Sequence, residues 1–359
     1  MNRMLNVCFL LLFCGTIMAV DPFLAHSDPL DPYIQAAKKE GSVTIGVSLR
    51  SKVHGKPAGE LYIAAFQKHH PFLKANFNRI GGGIDRERIL TEMTAGIFNF
   101  DVVTVSDTMI PTIVEAKLPR VVEWGKLGVP EFLIHPDNIG LTLRTPVFGI
   151  AYNRDLVPDE VAQTFTWETC TDPKWKGKTS ANDRPRHLEP LYQERVWGRK
   201  KTLDYAKRWA ENKPVIEYNR SVASNKLTAG AFPMICGIFR SHVEELRNYA
   251  GAKNIGIVFP EPVPVGVGDL IYIPDKAKHP NAGILFLVWS SSKEGQNHLD
   301  EVNFSGHPSI EGSKVNDILK GKKLAFTTWE DVSHTDQDLT EILKTMGIPV
   351  VRGKAKKKK

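Results

Sequence analysis

The chain has 359 residues, too many for one small module at roughly 150 residues per domain and suited to two lobes. A hydrophobic share of 42% with 24% charged residues excludes disorder as the main state. The formal net charge of +7 sits largely at one end, because Arg352, Lys354 and Lys356 to Lys359 form a basic tail and the chain without these six cations carries only +1; the electrostatic footprint of a nucleic-acid binder is missing.

In chain order, residues 1–27 read as a cleavable export signal. Arg3 supplies a short positive region, Val7 to Val20 is apolar with small polar interruptions, and Ala19, Asp21, Ala25 and Ser27 follow. Cleavage is expected after Ala19 or Ser27, since Pro22 disfavours a cut before it. The apolar run is shorter than the roughly 20 residues that cross a bilayer. Large residues before Cys8 and Cys14 argue against lipoprotein processing, and cleavage leaves two cysteines, Cys170 and Cys236. An oxidising compartment permits one disulfide between them, and both positions also suit buried free thiols.

A helix is expected from Asp31 to Gly41, with Asp31 as cap, Pro32 in the first turn and Gly41 as terminator. The β-branched run Ser42 to Ser48 predicts a buried strand. A helix over Glu60 to His69, a strand over Lys74 to Ile80, the turn Gly81-Gly82-Gly83, a helix over Asp85 to Ala95 and a strand over Asp101 to Val105 follow. This alternation predicts a parallel sheet with helices on both faces, which binds ligands beyond the carboxyl ends of its strands. From about Tyr152 to Pro262 the texture changes, with most of the tryptophans, two proline-rich turns and helices over Thr202 to Asn212, Ser221 to Gly230 and His242 to Tyr249. A strand returns at Asp269 to Ile273, then a helix over Asn281 to Ser290, with Asn281 as cap. The expected organisation is a first lobe over 28–145, an inserted second lobe over 146–264, a return to the first lobe with the C-terminal helices over 265–350, and a tail over 351–359. Crossings are placed near Leu143 to Val147 and Pro262 to Asp269. The chain shows no internal repeat.

Three phrases carry a resemblance: Gly149-Ile150-Ala151-Tyr152-Asn153-Arg154-Asp155-Leu156-Val157-Pro158, Thr166-Trp167-Glu168, and Asp172-Pro173-Lys174-Trp175-Lys176-Gly177-Lys178. With Phe100 to Val103, Ile273 to Ala282 and Ser292 to Gln296, the sequence resembles bacterial extracellular solute-binding proteins of ABC importers, in particular the ferric-iron-type branch. The resemblance implies a type II periplasmic-binding fold of two α/β lobes, a periplasmic or extracellular monomer, and a membrane permease as partner. It implies capture of a small solute, without catalysis and without a cofactor. Trp167, Trp175 and Lys176 themselves read as packing residues.

The family's cleft, carried onto this chain, implies ligand contacts from Ser48, Arg50, Gly81, Gly82, Gly83, Ser106, Asp107 and Asp269 on one side. Tyr152, Asn182, Asp183, Arg184 and Arg240 are implied on the other. Glycines before a helix aim backbone N–H groups at an anion, and arginine forks suit carboxylate and phosphate, so a small anion is the expected solute. Relatives that hold ferric iron directly use adjacent tyrosines, whereas the corresponding stretch here is Met234-Ile235-Cys236-Gly237-Ile238-Phe239-Arg240-Ser241-His242. Ferric iron, held with an accompanying anion, is the alternative. Asp107, Asp183, Tyr152, Tyr218 and His242 are its candidate oxygen and nitrogen donors, with no spacing that enforces a site. No Gly-x-Ser-x-Gly elbow, Walker loop or His-Glu-x-x-His helix occurs. The one catalytic alternative is a thiaminase-like transferase with Cys236 as nucleophile beside Arg240 and His242.

Overall fold

The computed structural model describes residues 28–50 and 52–350; the expected signal segment and the basic tail lie outside them. Fourteen strands occur among these residues: β1 Ser42–Val47, β2 Lys52–Val53, β3 Lys56–Pro57, β4 Lys74–Arg79, β5 Val102–Val105, β6 Leu141–Thr142, β7 Phe148–Asn153, β8 Thr179–Asn182, β9 Val215–Glu217, β10 Met234–Phe239, β11 Ile255–Val258, β12 Val263–Val265, β13 Leu270–Tyr272 and β14 Leu324–Phe326. They build two five-stranded sheets, ordered β4-β1-β5-β13-β6 and β11-β7-β10-β8-β9. The first is parallel through β4, β1 and β5, as the helix–strand alternation requires, and β13 joins it antiparallel because the chain returns from the other sheet. In the second, β8 runs parallel to β10 and β9, while β7 opposes β10 and β11.

The first core joins β1 to the helices Ala58–His69 and Pro280–Ser291, where Tyr62, Phe66, Phe286 and Trp289 pack ring against ring. The helix Asp31–Glu40 ends at Gly41 with φ of 70°, the left-handed turn that glycine tolerates. Asp31, expected as its cap, is its first residue. Asn281 is likewise inside its helix. The capping role there falls to Glu40, whose carboxylate accepts the N–H groups of Asn281 and Ala282 at 3.1 and 2.8 Å. A long-range partner thus does what the local sequence was expected to do.

The C-terminal part departs from the expected return to the first lobe. Leu339, Ile342, Leu343 and Met346 of the last helix, Trp329–Met346, pack into the second core with Trp209, Tyr205 and Leu188. Asp331 and Glu341 fix that helix to Arg195 and Arg199. Its apolar stripe covers a face of the second lobe that the inserted segment leaves open.

The two crossings lie side by side. Gly266 donates its N–H to Pro146 O at 2.9 Å, Leu143 to Asp269 O at 3.2 Å, and Ser305 O accepts from Thr145 at 2.9 Å. A Cβ on Gly268 would stand 1.3 Å from Arg144 O, so only glycine permits this approach of the two strands.

Cys170 and Cys236 form a disulfide with their Cα atoms 6.3 Å apart. Both are buried, so Cys236 has no thiol to serve as a nucleophile and the cysteine-transferase alternative is overturned. Beside it, Gly237 takes φ of 73°, and a Cβ there would meet the His187 ring at 1.9 Å.

His187 is completely buried between Trp167, stacked at 5.2 Å, and Trp209, edge-on at 5.4 Å, and neither ring nitrogen has a hydrogen-bond partner. Burial pushes its pKa down to about 3, and the same cause brings His307 to about 3. Both must be neutral in the folded state, whereas the unfolded chain takes up these protons near pH 6.5. Their stabilising contribution is therefore complete above pH 6.5 and falls as the pH drops toward 3. The expected loss is about 1.4 kcal/mol per pH unit for each histidine. In urea titrations at pH 7 and pH 4.5, His187→Phe should be as stable as the parent at pH 7 and should lose less on acidification. Parallel losses in parent and variant would refute the account.

Candidate functional site

Between the two sheets, at the carboxyl ends of β1 and β5, lies a cavity of about 430 Å3 whose lining includes six arginines, Arg50, Arg79, Arg86, Arg144, Arg186 and Arg220. Only three carboxylates, Asp107, Glu245 and Asp269, share it. The excess of three positive charges between low-dielectric walls is the dominant property of the site.

Each guanidinium is held from behind. Arg50 follows β1; Asn303 accepts from its backbone N–H at 3.1 Å and from Nη2 at 3.2 Å, while the Phe304 and Tyr249 rings lie 4.8 and 5.2 Å from its guanidinium carbon. Its Nε and Nη1 have no acceptor, and burial lowers its pKa despite Glu245 3.7 Å away. Arg79 ends β4 and donates Nε to Leu49 O at 2.8 Å. Arg86, in the helix Gly83–Thr94, and Arg144, in the first crossing, converge on Asp269 at 2.8 and 3.1 Å. Arg186 reaches across the cleft to Asp107 at 2.6 Å and also binds buried Glu189 at 3.1 Å. Burial opposes the charge on Arg186, but the two carboxylates outweigh it and raise its pKa. The Glu189 carboxyl, pushed up by burial, stands at about 7.

Arg220 differs. It opens the helix Arg220–Thr228 and lies 4.3 Å over the Phe239 ring, with no ion-pair partner among the described residues. Burial first, then the Arg186 charge, lowers its pKa to about 10. A cation so placed gains from any anion that enters.

Of the residues expected at the site, Ser48, Arg50, Ser106, Asp107 and Asp269 line the cavity, as does His242. The others are elsewhere. The Gly81 N–H is spent on Asp85 Oδ2 at 2.8 Å, so an acid in the first turn of the helix Gly83–Thr94 already occupies the turn of Gly81, Gly82 and Gly83. Tyr152 is buried in β7 and donates its hydroxyl to Asp159 at 2.6 Å, with a pKa pushed up to about 12 by burial and that bond. Asn182 donates to Glu217 O and accepts from the Arg184 N–H. Arg184 faces Asp336 at 3.5 Å, and Asn182, Asp183 and Arg184 are all outside the lining. Tyr218 is exposed and also outside it.

Arg240 is the plainest correction. It is 4% exposed and forms a two-pronged pair with Asp300 at 2.7 and 2.9 Å. It therefore joins the helices Arg240–Tyr249 and Lys293–Asn303 across the lobes instead of entering the cleft. Four of the five cleft arginines missed in the sequence share a sign that was available, and Arg186 lies in the loop between β8 and the helix Leu188–Tyr192. Arg79 and Arg144 stand at or just after the carboxyl ends of strands, and Arg86 and Arg220 stand in first helical turns, where such folds collect ligands. Among the described residues no group of three or more His, Cys, Asp and Glu side chains could hold a metal ion, and no tyrosine is among those lining the cavity.

No curated protein matches the chain. Solved structures match it over their full length. Iron-bound HitA from Pseudomonas aeruginosa is 16% identical with a TM-score of 0.64, covering 85% of this chain and 99% of that one. The Trichodesmium protein IdiA (FutA), in complex with iron and citrate, is 20% identical with a TM-score of 0.66, covering 86% and 100%. The ferric binding protein from Campylobacter jejuni is 16% identical with a TM-score of 0.64, covering 86% and 100%. At these identities the likeness shows the fold, the two-lobed type II periplasmic-binding architecture. The family model for bacterial extracellular solute-binding proteins matches residues 62–325, most of the described chain, and the chain belongs to that family.

Proposed function

We propose that the chain is the exported substrate-binding component of an ABC importer and captures a small anion in the arginine-lined cleft for delivery to a membrane permease. The observation that carries the reading is Arg220, a half-covered guanidinium without a carboxylate in a cavity with three surplus positive charges. Ser48, Arg50 and Ser106 would complete the contacts, while Asp107 and Asp269 hold the guanidiniums of Arg186, Arg86 and Arg144 in place. The halves that close on the ligand would be 28–145 with the first part of the return segment, and 146–264 with the last helix, Trp329–Met346, packed on it. Asp107–Arg186 and Arg50–Glu245 already span the cleft, so a bound anion would compete for these guanidiniums and shift the open–closed equilibrium through its different contacts in each state. Residence outside the cytoplasm accords with the family, and no helix among the described residues is long and apolar enough to cross a membrane.

The Trichodesmium relative, complexed with iron and citrate, supports a second reading in which ferric iron enters as an anionic chelate. Arg220 then meets the chelating anion, and the metal needs no tyrosine from the protein.

Titration calorimetry with inorganic phosphate, phosphonates, citrate and ferric citrate tests both readings. Arg220→Ala should weaken the preferred anion by tens to about a hundredfold, the equivalent of one charge-assisted bond of roughly 1.5–3 kcal/mol. Arg220→Lys should recover part of the loss, because an ammonium cannot make the forked contact. Preference for ferric citrate over citrate selects the chelate. Ferric ion bound without any anion, and more tightly by Arg220→Ala, would overturn the proposal.

A further inference from the structure

A second cavity, about 1080 Å3, lies beside the crossings and is separate from the arginine cleft. Val267 lines both cavities, and Ser305 and His307, two residues apart, line one each. One wall is formed by the short turns Trp124–Leu127 and Glu131–Leu133 near the first core. The facing wall is the end of β14 and the first turn of the last helix. That wall is tied to the second lobe, because Arg195 donates to Phe326 O at 2.7 Å.

The chemistry of this cavity is opposite to that of the cleft. Phe132, half exposed, stacks on His307 at 4.8 Å, and His307 stacks on Phe326 at 5.8 Å. Trp329 meets His135 at 5.0 Å. Burial keeps both imidazoles neutral, lowering their pKa values. The formal charges at the walls are Glu123, Glu131 and Glu330 against Lys126 alone, and Lys126 is 3.7 Å from Glu123. A buried, unpartnered hydroxyl, Thr327 Oγ1, belongs to the same wall. Electron-rich ring faces beside surplus carboxylates favour a cation with an apolar shell, since the ring quadrupole attracts it and its methyl groups lose little hydration on contact.

We propose that this cavity is a binding site for a small organic cation of the alkylammonium class, held against Phe132 and Trp329 with its charge facing Glu131 and Glu330. The wall of β14 and the last helix is tied to the second lobe through Phe326 and Asp331 and touches the first through Trp329, so an occupant acts at a contact between the lobes.

Choline and its uncharged carbon isostere, 3,3-dimethylbutan-1-ol, are the probes, titrated into the full chain by calorimetry. Choline should saturate one site per chain, with the isostere binding at least about tenfold more weakly. Phe132→Ala, and separately the double variant Glu131→Gln with Glu330→Gln, should each weaken choline about tenfold. The double variant replaces exposed side chains, so it stands as the test if Phe132→Ala folds poorly. Saturable choline binding should also persist in the presence of phosphate, which competes for the cleft only. No saturable binding by the parent, equal affinity for the isostere, or unchanged affinity in the double variant would each overturn the proposal.

Discussion

Asp300→Ala should destabilise the protein by about 3–5 kcal/mol, the cost of leaving a guanidinium buried without its partner. Asp300 and Arg240 are 4% and 5% exposed at their side chains, and the two-pronged geometry satisfies both carboxylate oxygens. Asp300 also accepts the Gly306 N–H at 3.2 Å, and Arg240 also reaches Phe304 O at 3.3 Å. Arg240→Ala should cost a similar amount from the other side. Replacing both partners with apolar residues, Arg240→Met with Asp300→Leu, should recover most of the loss, because desolvation of the pair offsets much of its attraction. Urea denaturation of the three variants measures this cycle. Anion affinity should distinguish Arg240 from Arg220: at a permissive temperature Arg240→Met should stay within tenfold of the parent. A single-variant loss below about 1 kcal/mol would mean that water reaches the pair.

Removal of the disulfide should have an effect of similar size. Cys170 and Cys236 close a loop with a sequence separation of 66, for which chain-entropy reasoning gives about 4 kcal/mol. The bridge ties the turn Trp167–Thr171 to β10 at the centre of the second sheet, next to the His187 pocket. Cys170→Ala with Cys236→Ala should lower the urea midpoint sharply, and reductant should reproduce the loss only after unfolding, because both sulfurs are buried. Equal midpoints for parent and double variant would show that the unfolded chain gains no freedom from the loss of the bridge.

Local elements were readable because their causes are local. Gly41 ends a helix wherever that helix is placed, and the run Ser42 to Val47 favours a buried strand by its own side chains. The alternation of such elements predicted the parallel part of the first sheet. The strand β13 was expected over Asp269 to Ile273, but its antiparallel direction was not, since that follows from where the chain re-enters. The caps show the same division. Gly41 acts on its own helix, while the helix Pro280–Ser291 takes its cap from Glu40, 241 residues from Asn281.

The site divides on the same line. The family's cleft implied Ser48, Arg50, Ser106, Asp107 and Asp269, and these five line the cavity. The first four follow the carboxyl ends of β1 and β5, which project the next residues toward the ligand face, and Asp269 precedes the antiparallel β13. Arg240 satisfied the same local criterion and faces Asp300 instead, for an acid from a distant helix competes for it. Arg220 stands in a first helical turn like Arg86, and its distinction, the absence of a facing carboxylate, is not local. By itself the sequence determined the elements and the family. Tertiary structure alone decided which arginines are neutralised and which remain free, because a buried charge is governed by what stands across from it, and partners far apart in the chain meet only when the lobes are built.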